Sequence, residues 1–260
     1  MGELLIGTSG YDYPPWKKEG FYPKNVTREN FLQYYATQFD SLELNGTYYR
    51  PATSEQMQRM IDRSGGKVKF SVKAFSEITH ATDKSRYQPL VADFRKALEP
   101  LLNNNLLLCA LLQFPESFHY GDTERLYLDA VLKEFSGIPV VVEFRNNKWQ
   151  NDMVYDGLRK RKIGCCITDE PRLKNLMKLD YVLTSDIGYM RFHGRNIKMW
   201  YSGNNETRYE YLYNDNELME FVEPIKYLLQ RARIVQLFFN NHAKAYATIN
   251  ARKIALLLKE

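Results

Sequence analysis

Cysteine and histidine are scarce in this sequence, with three cysteines and four histidines among 260 residues. The cysteines are odd in number and lie inside apolar segments, so they form neither a disulfide framework nor a zinc-ligand spacing. That usage favours a reducing compartment, and we expect a cytoplasmic protein. The histidines show no H-x-x-x-H or histidine–carboxylate spacing that indicates zinc by itself.

Long apolar runs are also absent. The longest, from Leu106 to Leu112, is far too short to cross a bilayer, and the first ten residues lack the pattern of a signal peptide. The segment "GTSGYDY" offers only Gly7 and Gly10, which is not a dinucleotide-binding fingerprint. No linker, low-complexity segment or internal repeat divides the chain, so we expect one domain over 1–260, away from membranes, with the oligomeric state left open.

The charge balance is close to even. Lysine and arginine number 36 against 31 acidic residues, giving a net charge of +5, and 44% of the residues are hydrophobic. These proportions are those of an ordinary globular protein. The mild basic bias favours anionic ligands but is too weak to diagnose nucleic-acid binding.

Short apolar runs alternate with longer amphipathic segments along the whole chain. The runs predict strands at 3–8, 40–45, 67–74, 106–114, 139–144, 163–168, 189–194 and 234–240. Helical patterns lie between them at 28–38, 53–63, 87–102, 122–135, 151–162, 216–231 and 243–259. Alternation of this kind indicates a parallel sheet, and the length suits an α/β fold of the (β/α)₈ TIM-barrel type. A doubly wound open sheet is the alternative.

Two connections depart from the alternation. The segment between Asp169 and Tyr181 is short and weakly helical, and 195–213 is long and aromatic. We interpret the second as an elaborated loop after the seventh strand.

Polar residues gather where the strands end. In "VVVEFR", Glu143 and Arg145 share a face with Val141, and in strand seven Arg191, His193 and Arg195 lie opposite Met190 and Phe192. The other strand ends supply Glu43, Asn45, Lys73, Gln113, Asp169, Asn240 and Asn241. Because active sites of these barrels lie at the C-terminal ends of the strands, this clustering predicts a site.

The predicted cluster carries more positive than negative charge. It contains three acidic residues, Glu43, Glu143 and Asp169, and four basic ones, Lys73, Arg145, Arg191 and Arg195. Structural pairing of Glu143 with an arginine is the plain alternative to a functional role. The basic surplus lies on strand seven, and these barrels often bind phosphate after strands seven and eight. We therefore predict an anion near Arg191, His193 and Arg195.

General acid–base catalysis suits these residues better than nucleophilic catalysis. Glu43 or Glu143 would accept a proton, Lys73 or His193 would donate one, and an arginine would hold the anion. Ser9 lacks the spacing of a nucleophile elbow.

Metal binding is disfavoured by the same cluster. A set of Glu43, Glu143, Asp169 and His193 could converge on a metal, but the adjacent arginines repel a dication. We predict no cofactor and no metal ligand, with weak Mg²⁺ held through a substrate phosphate left open.

Aromatic residues are abundant, with 19 tyrosines, 14 phenylalanines and 3 tryptophans. Most would pack loops onto the barrel rim. Those beside the charged strand ends, Tyr48, Tyr49, Trp149 and Tyr201, are candidates for stacking on a base or a sugar.

Seven segments in order resemble those of the YecE-like family of bacterial and archaeal proteins of unknown function. They are "IGTSGYDYPPWKKEGFYP", "SLELNGTYYRP", "FSVKAFSEITH", "LLQFPESF", "VVEFRNNKW", "YMRFHGR" and "FFNNHAKAYATINA". The resemblance implies a TIM-type barrel and, by structural analogy with endonuclease IV-like barrels, DNA binding. The positions that the resemblance singles out are chiefly Glu43, Asn45, Lys73, His80, Glu143, Arg145, Arg191, His193, Asn240 and Asn241.

Two classes of function follow. The first is an enzyme that acts by acid–base chemistry on a phosphate-bearing nucleotide, nucleic acid or sugar phosphate. The second is a nucleic-acid-binding protein without catalysis. A closed polar pocket would favour the enzyme, and a continuous basic stripe beyond the barrel mouth would favour the binding protein.

Overall fold

The strands close into a ring in the computed structural model, which describes residues 1–80 and 84–259. Every neighbouring pair is parallel, and the first strand pairs with the last. The strands are β1 Glu3–Ser9, β2 Ser41–Leu44, β3 Lys69–Lys73, β4 Leu107–Gln113, β5 Val140–Glu143, β6 Gly164–Asp169, β7 Ile187–Phe192 and β8 Ile234–Phe239. The predicted (β/α)₈ barrel is therefore confirmed, and the pairing of β1 with β8 excludes an open sheet.

Helices occupy most of the connections between strands. They are α1 Pro15–Lys18, α2 Phe31–Tyr35, α3 Ser54–Ser64, α4 Ser76–Thr79, α5 Tyr87–Asn103, α6 Asp122–Glu134, α7 Asp152–Arg161, α8 Asn205–Arg208, α9 Asp215–Met219, α10 Val222–Leu229 and α11 Tyr246–Leu257. Across residues 1–80 and 84–259, no helix combines the length and the apolar character needed to span a bilayer.

Local sequence explains where these elements begin and end. The three valines of β5 are buried, as expected for a parallel strand covered on both faces. The α3 helix starts after Thr53, whose side chain accepts from the Gln56 amide at 3.2 Å. It ends at Gly65, where a φ of +62° favours glycine.

Side chains on alternate positions fill two separate cores. Inside the barrel, the apolar residues are Leu5, Leu108, Cys109, Leu111, Val141, Cys166, Ile187, Tyr189, Ile234 and Phe238. Met190 and Phe192 belong instead to the core between strands and helices. All three cysteines are free and buried, and burial raises the pKa of the Cys109 thiol to about 12. The cysteines therefore act as packing residues.

The two irregular connections differ in form. Residues 170–186 contain turns and irregular backbone with no helix, so the weak helical pattern after Asp169 does not produce one. Residues 195–213 contain the single-turn α8 and otherwise turns and irregular backbone. Trp200, Tyr201 and Tyr209 from this loop line a cavity at the C-terminal mouth of the barrel.

Candidate active site

Arg191 joins two carboxylates inside the barrel. Its Nη2 donates to Glu43 Oε1 at 2.7 Å and its Nη1 donates to Glu143 Oε2 at 2.5 Å. Both carboxylates are fully buried and the Arg191 side chain is 2% exposed. Tyr189 donates to the second oxygen of Glu43 at 2.6 Å. Since a buried charge is costly unless it is paired and hydrogen-bonded, these groups depend on one another.

This pairing corrects the roles expected of Glu43 and Glu143. Burial alone would raise the pKa of the Glu143 carboxyl, but Arg145 and Arg191 lower it well below its usual range. A carboxylate stabilised in this way is a weak base. Glu43 holds Arg191 and Tyr189 in a comparable geometry. The arrangement makes both residues charge partners of Arg191, and for Glu143 the lowered pKa argues against the role of proton acceptor.

Arg145 is also paired, in part with a residue that the strand pattern did not single out. Its guanidinium contacts Glu143 and donates from Nη1 to Glu170 Oε2 at 3.0 Å. Glu170 directly follows β6, and the Met177 amide donates to its other oxygen at 3.1 Å. Arg145 and Arg191 thus face three carboxylates, so the predicted basic surplus is absent from this part of the mouth.

His193 lies in the same network as a neutral ring. Its Nε2 is 3.0 Å from Arg145 Nη2 and 3.4 Å from Glu143 Oε1, and its Nδ1 is 3.0 Å from the Asn240 side-chain nitrogen. Burial and the Arg145 charge lower the pKa of His193 well below its usual value. A ring that stays neutral at physiological pH is a poor proton donor, which corrects that role for His193.

Arg195 belongs to a different cluster. Its Nε and Nη2 both donate to Asp169 Oδ1, at 3.1 and 3.0 Å. Nη2 also donates to Glu220 Oε2 at 3.3 Å. Tyr213 donates to Asp169 Oδ2 at 2.6 Å. The predicted anion corner of Arg191, His193 and Arg195 is therefore not assembled. Arg191 and His193 lie in the network inside the barrel, where Arg191 Nε has no hydrogen-bond partner among the described residues, and Arg195 pairs with carboxylates elsewhere.

Two further predicted binding residues are part of the core. Trp149 is 1% exposed, stacks on Phe118 and Phe144, and donates from Nε1 to the Phe118 carbonyl at 2.7 Å. The Asn241 side chain donates to the Tyr211 carbonyl and to Asn250 Oδ1, both at 2.8 Å. Neither side chain lines the cavities at the barrel mouth, so the structure does not bring Trp149 and Asn241 to the other predicted binding residues.

Lys73 differs from the arginines because its amine meets no carboxylate within the described residues. Nζ donates to Gln113 Oε1 at 2.7 Å and lies 4.1 Å from the centroid of the Tyr48 ring. Desolvation, with the Arg191 charge next in effect, lowers the pKa of the ammonium from 10.5 to about 7. The side chain of Lys73 thus ends in an amine that exchanges a proton near neutral pH.

The amine faces two adjoining cavities at the barrel mouth, of about 370 and 210 Å³. Both are lined by Tyr48, Tyr49, Lys73, Gln113, Arg145, Asn205 and Tyr209. The deeper one adds Tyr13, Asn45, Arg191, Asn240 and His242, and the other adds His80, Glu116, Trp200, Tyr201 and Arg208 among its walls. The structure therefore gathers Lys73, Asn45, Tyr48, Gln113, Arg145, Arg191, Tyr201 and Asn240 around one space.

Arg208 is a lining residue that the strand pattern could not reveal, because it comes from α8 in the long loop. Its Nε is buried without a hydrogen-bond partner, and its guanidinium lies 5.9 Å from the Trp200 ring centroid. In the described part of the chain it has no acidic partner. Glu116, the nearby acid in the wall, accepts from the exposed Tyr201 hydroxyl at 3.0 Å.

Within residues 1–80 and 84–259, the structure contains no group of three or more histidine, cysteine, aspartate or glutamate side chains that could hold a metal ion. Of the set considered from the sequence, Glu43 and Glu143 bind Arg191, and Asp169 binds Arg195. Weak Mg²⁺ binding through a substrate phosphate stays a prediction.

Comparison with solved structures reproduces the whole fold. A DUF72 family protein of Thermotoga maritima MSB8 is 32% identical, with a TM-score of 0.92 over 99% of this chain and 100% of that chain. A DUF72 family protein of Enterococcus faecalis V583 is 23% identical, with a TM-score of 0.86 over 99% of this chain and 96% of that chain. At that lower identity the likeness shows the fold alone.

Sequence comparison agrees at the level of the family. The UPF0759 protein YunF of Bacillus subtilis (strain 168) is 26% identical over 270 residues, covering 98% of this chain and 94% of that protein. The family described as "Protein of unknown function DUF72" matches residues 5–260. The narrower YecE-like name is not part of these matches. With the family model covering nearly the whole barrel, the chain belongs to the DUF72 family, whose function is unknown.

Proposed function

We propose that this protein is an enzyme that performs acid–base chemistry on a phosphate-bearing small molecule at the C-terminal mouth of the barrel. In this proposal Lys73 exchanges the proton and Arg208 binds the anionic group. The observation that carries the proposal is the position of Lys73 Nζ, which lies in the wall of both cavities and has no carboxylate partner among residues 1–80 and 84–259.

A catalytic acid or base works best when its pKa lies near the operating pH. Lys73 meets this condition, because desolvation and the Arg191 charge bring the pKa of its ammonium to about 7. His80 does not, since burial and the Lys73 charge lower its pKa to about 4. Among the titratable side chains lining the cavities, Lys73 therefore combines access with a suitable pKa.

Arg208 supports the phosphate part of the proposal. A guanidinium offers several N–H donors in one plane, which suits two oxygens of a phosphate group. Among the described residues, the buried Nε atoms of Arg208 and Arg191 both lack a hydrogen-bond partner. Arg191 and Arg145 are nevertheless held by carboxylates, whereas Arg208 has no acidic partner in that part of the chain. Arg208 thus replaces the strand-seven corner as the anion-binding group.

The cavity shape favours a small molecule over a polymer. The two cavities are about 370 and 210 Å³; Tyr48 and Tyr209 line both, and Trp200 lines the larger one. Pockets of several hundred Å³ hold metabolite-sized ligands. Nucleic-acid binding is the second candidate, supported by the exposed rings of Tyr49 and Tyr201 at the rim, which are 65% and 60% exposed.

A panel of sugar phosphates and nucleoside monophosphates, each matched with its dephosphorylated form, tests the proposal by thermal shift. We expect some phosphorylated members to stabilise the parent protein and not Arg208→Gln. Arg231→Gln, at the opposite end of the barrel just before β8, is the matched control and should respond like the parent. Turnover is then followed by mass spectrometry, with Lys73→Met as the inactive control.

The proposal fails if no phosphorylated compound stabilises the protein and none is consumed. If instead single-stranded oligonucleotides bind more tightly than every monomer, the nucleic-acid alternative holds. Stabilisation by phosphate esters in parent and Arg208→Gln alike would remove Arg208 from the proposal.

A further inference from the structure

We propose that Lys73 Nζ forms a covalent imine with an aldehyde or ketone group of the substrate. This inference rests on the proposed function, since it assigns a carbonyl to the same phosphate-bearing molecule. It depends on which cationic groups of the mouth are already occupied and which one is free to react.

Activation of a carbonyl by the arginines is blocked by their pairing. Arg191 donates to Glu43 and Glu143, and Arg145 contacts Glu143 and Glu170. Polarising a carbonyl oxygen would require these guanidiniums to leave buried carboxylates, which is costly. Lys73, by contrast, gives up a hydrogen bond to the neutral amide oxygen of Gln113 and, within the described residues, no ion pair.

The surroundings of Lys73 are those that turn a lysine into a nucleophile. Lysines become nucleophilic when they are desolvated or lie beside other cations. Lys73 has both conditions, because its side chain is partly buried and the Arg191 and Arg145 charges face it. The carboxylates facing it, Glu143 and Glu43, oppose this effect, but the pKa of the ammonium still falls to about 7.

The position of the amine allows a carbonyl carbon to reach it. Lys73 lines both cavities, so its amine meets a ligand entering from the mouth. Gln113 lies beside Glu143 in the register of β4 and β5, which fixes the acceptor that orients Nζ. Tyr48 covers one side of the amine at 4.1 Å. Arg208 lines the outer of the two cavities, so one ligand can engage both groups.

The reaction balances without an oxidant or a reductant. The Nζ lone pair forms a bond to the carbonyl carbon, and the carbonyl oxygen takes up a proton as Nζ loses one. The hydroxyl of the resulting carbinolamine takes up a further proton from solvent and leaves as water as the nitrogen lone pair forms the C=N bond, which is therefore protonated. That bond withdraws electrons from the neighbouring carbon and assists loss of a proton or cleavage of a carbon–carbon bond there. Addition of water reverses the steps, returns the proton to solvent and frees the lysine.

Reductive trapping tests the imine directly. The protein is incubated with glyceraldehyde 3-phosphate or dihydroxyacetone phosphate and sodium cyanoborohydride, and the modified lysine is located by peptide mass spectrometry. Lys160, an exposed residue of α7, serves as the internal reference. We expect Lys73 to be modified about a hundredfold faster near neutral pH, because far more of it is the free amine. Lys73→Arg should show no saturable labelling.

Glyceraldehyde without phosphate separates the two proposals. Phosphate-dependent labelling of Lys73 that weakens in Arg208→Gln supports both. Equal labelling by glyceraldehyde and its phosphate, regardless of Arg208, supports the imine and overturns the phosphate site. If Lys73 reacts no faster than Lys160 with any probe, the imine is wrong. In that case a thermal shift by phosphate esters that depends on Arg208 would leave the proposed function standing.

Discussion

Arg191 and Glu43 connect β7 to β2 through the barrel interior by a hydrogen bond of 2.7 Å between Nη2 and Oε1. These strands are not neighbours in the ring, so the contact ties opposite parts of the wall together. The other side of the guanidinium binds Glu143 on β5 at 2.5 Å. One arginine therefore bridges two buried carboxylates from two different strands, and Arg145 supplies the second positive charge beside Glu143.

The main effect of removing the Arg191 guanidinium should be a loss of stability. We expect Arg191→Met to lower the free energy of unfolding by about 3–5 kcal/mol, because both carboxylates would be left without their shared partner. Urea denaturation measures the change. Arg208→Met is the matched control, since its guanidinium has no acidic partner in the described residues, and it should change stability by less than about 1 kcal/mol. Equal losses in the two variants would contradict the pairing role of Arg191.

The buried ammonium of Lys73 should lower the free energy of unfolding near neutral pH. The pKa of its ammonium is about 7 when folded against an ordinary value of 10.5, so the unfolded chain binds the proton more tightly between these values. Stability linked to Lys73 is therefore present above about pH 10 and is lost as pH falls toward about 7. We expect Lys73→Met to be more stable than the parent near neutral pH, by roughly 1–2 kcal/mol after allowing for partial exposure.

The difference should shrink as the pH approaches about 10, which denaturation at several pH values would show. Lys69→Met on the same strand is the control. Lys69 pairs with Glu3 at the surface, and exposed pairs contribute little. If the stability difference between Lys73→Met and the parent does not vary with pH, the pKa of the Lys73 ammonium is not lowered in the folded protein.

Strand alternation predicts much of the site and fails where regular strand geometry ends. Within β7 it places Arg191 inside the barrel and Met190 and Phe192 outside, as observed. Extrapolation to Arg195 fails because β7 stops at Phe192 and Gly194 has a φ of +83°, which redirects the chain. Arg195 is three residues past the strand and follows Gly194, so the rule of alternate faces no longer applies to it.

Loop residues escape the same reasoning for a different cause. The position of Arg208 depends on how the long loop folds over the mouth, and no periodic pattern encodes that path. Trp149 follows β5 by only a few residues, yet a 3₁₀ turn at Asn147–Trp149 directs its ring into the core. Glu170 lies just beyond β6, and its contact with Arg145 at 3.0 Å identifies it as part of the site. Tertiary contacts decide all three positions.

Trp149 should behave as a core residue in every assay. We expect Trp149→Ala to cost about 3–5 kcal/mol of stability through the cavity that it leaves. Trp149→Phe should cost less, since it keeps the stacking on Phe118 and Phe144 and loses the hydrogen bond to the Phe118 carbonyl. Thermal shifts by any ligand of the mouth should be the same size in Trp149→Phe and parent. A selective loss of ligand response would return Trp149 to the binding site.

Arg195 and Arg208 provide a comparison between two arginines of the same loop region. Arg195 is held by Asp169 and Glu220, and Asp169 also accepts from Tyr213. We expect Arg195→Gln to lower the free energy of unfolding by about 1–3 kcal/mol, because Asp169, which is 4% exposed, would lose its charged partner. Its response to phosphate esters should match that of the parent once the shift in melting temperature is subtracted.

Arg208→Gln should give the opposite result, with parent-like stability and a phosphate response reduced about tenfold or more in affinity, since a charge-assisted hydrogen bond contributes about 1.5–3 kcal/mol. Titration of each variant with the same ester, at low and at raised salt, provides the measurement, because an anion bound by a partly exposed guanidinium is released by salt. If Arg195→Gln abolishes the phosphate response and Arg208→Gln does not, the anion binds on the strand-seven side after all. The carboxylates of Asp169 and Glu220 would then have to move away from Arg195 when the ligand arrives.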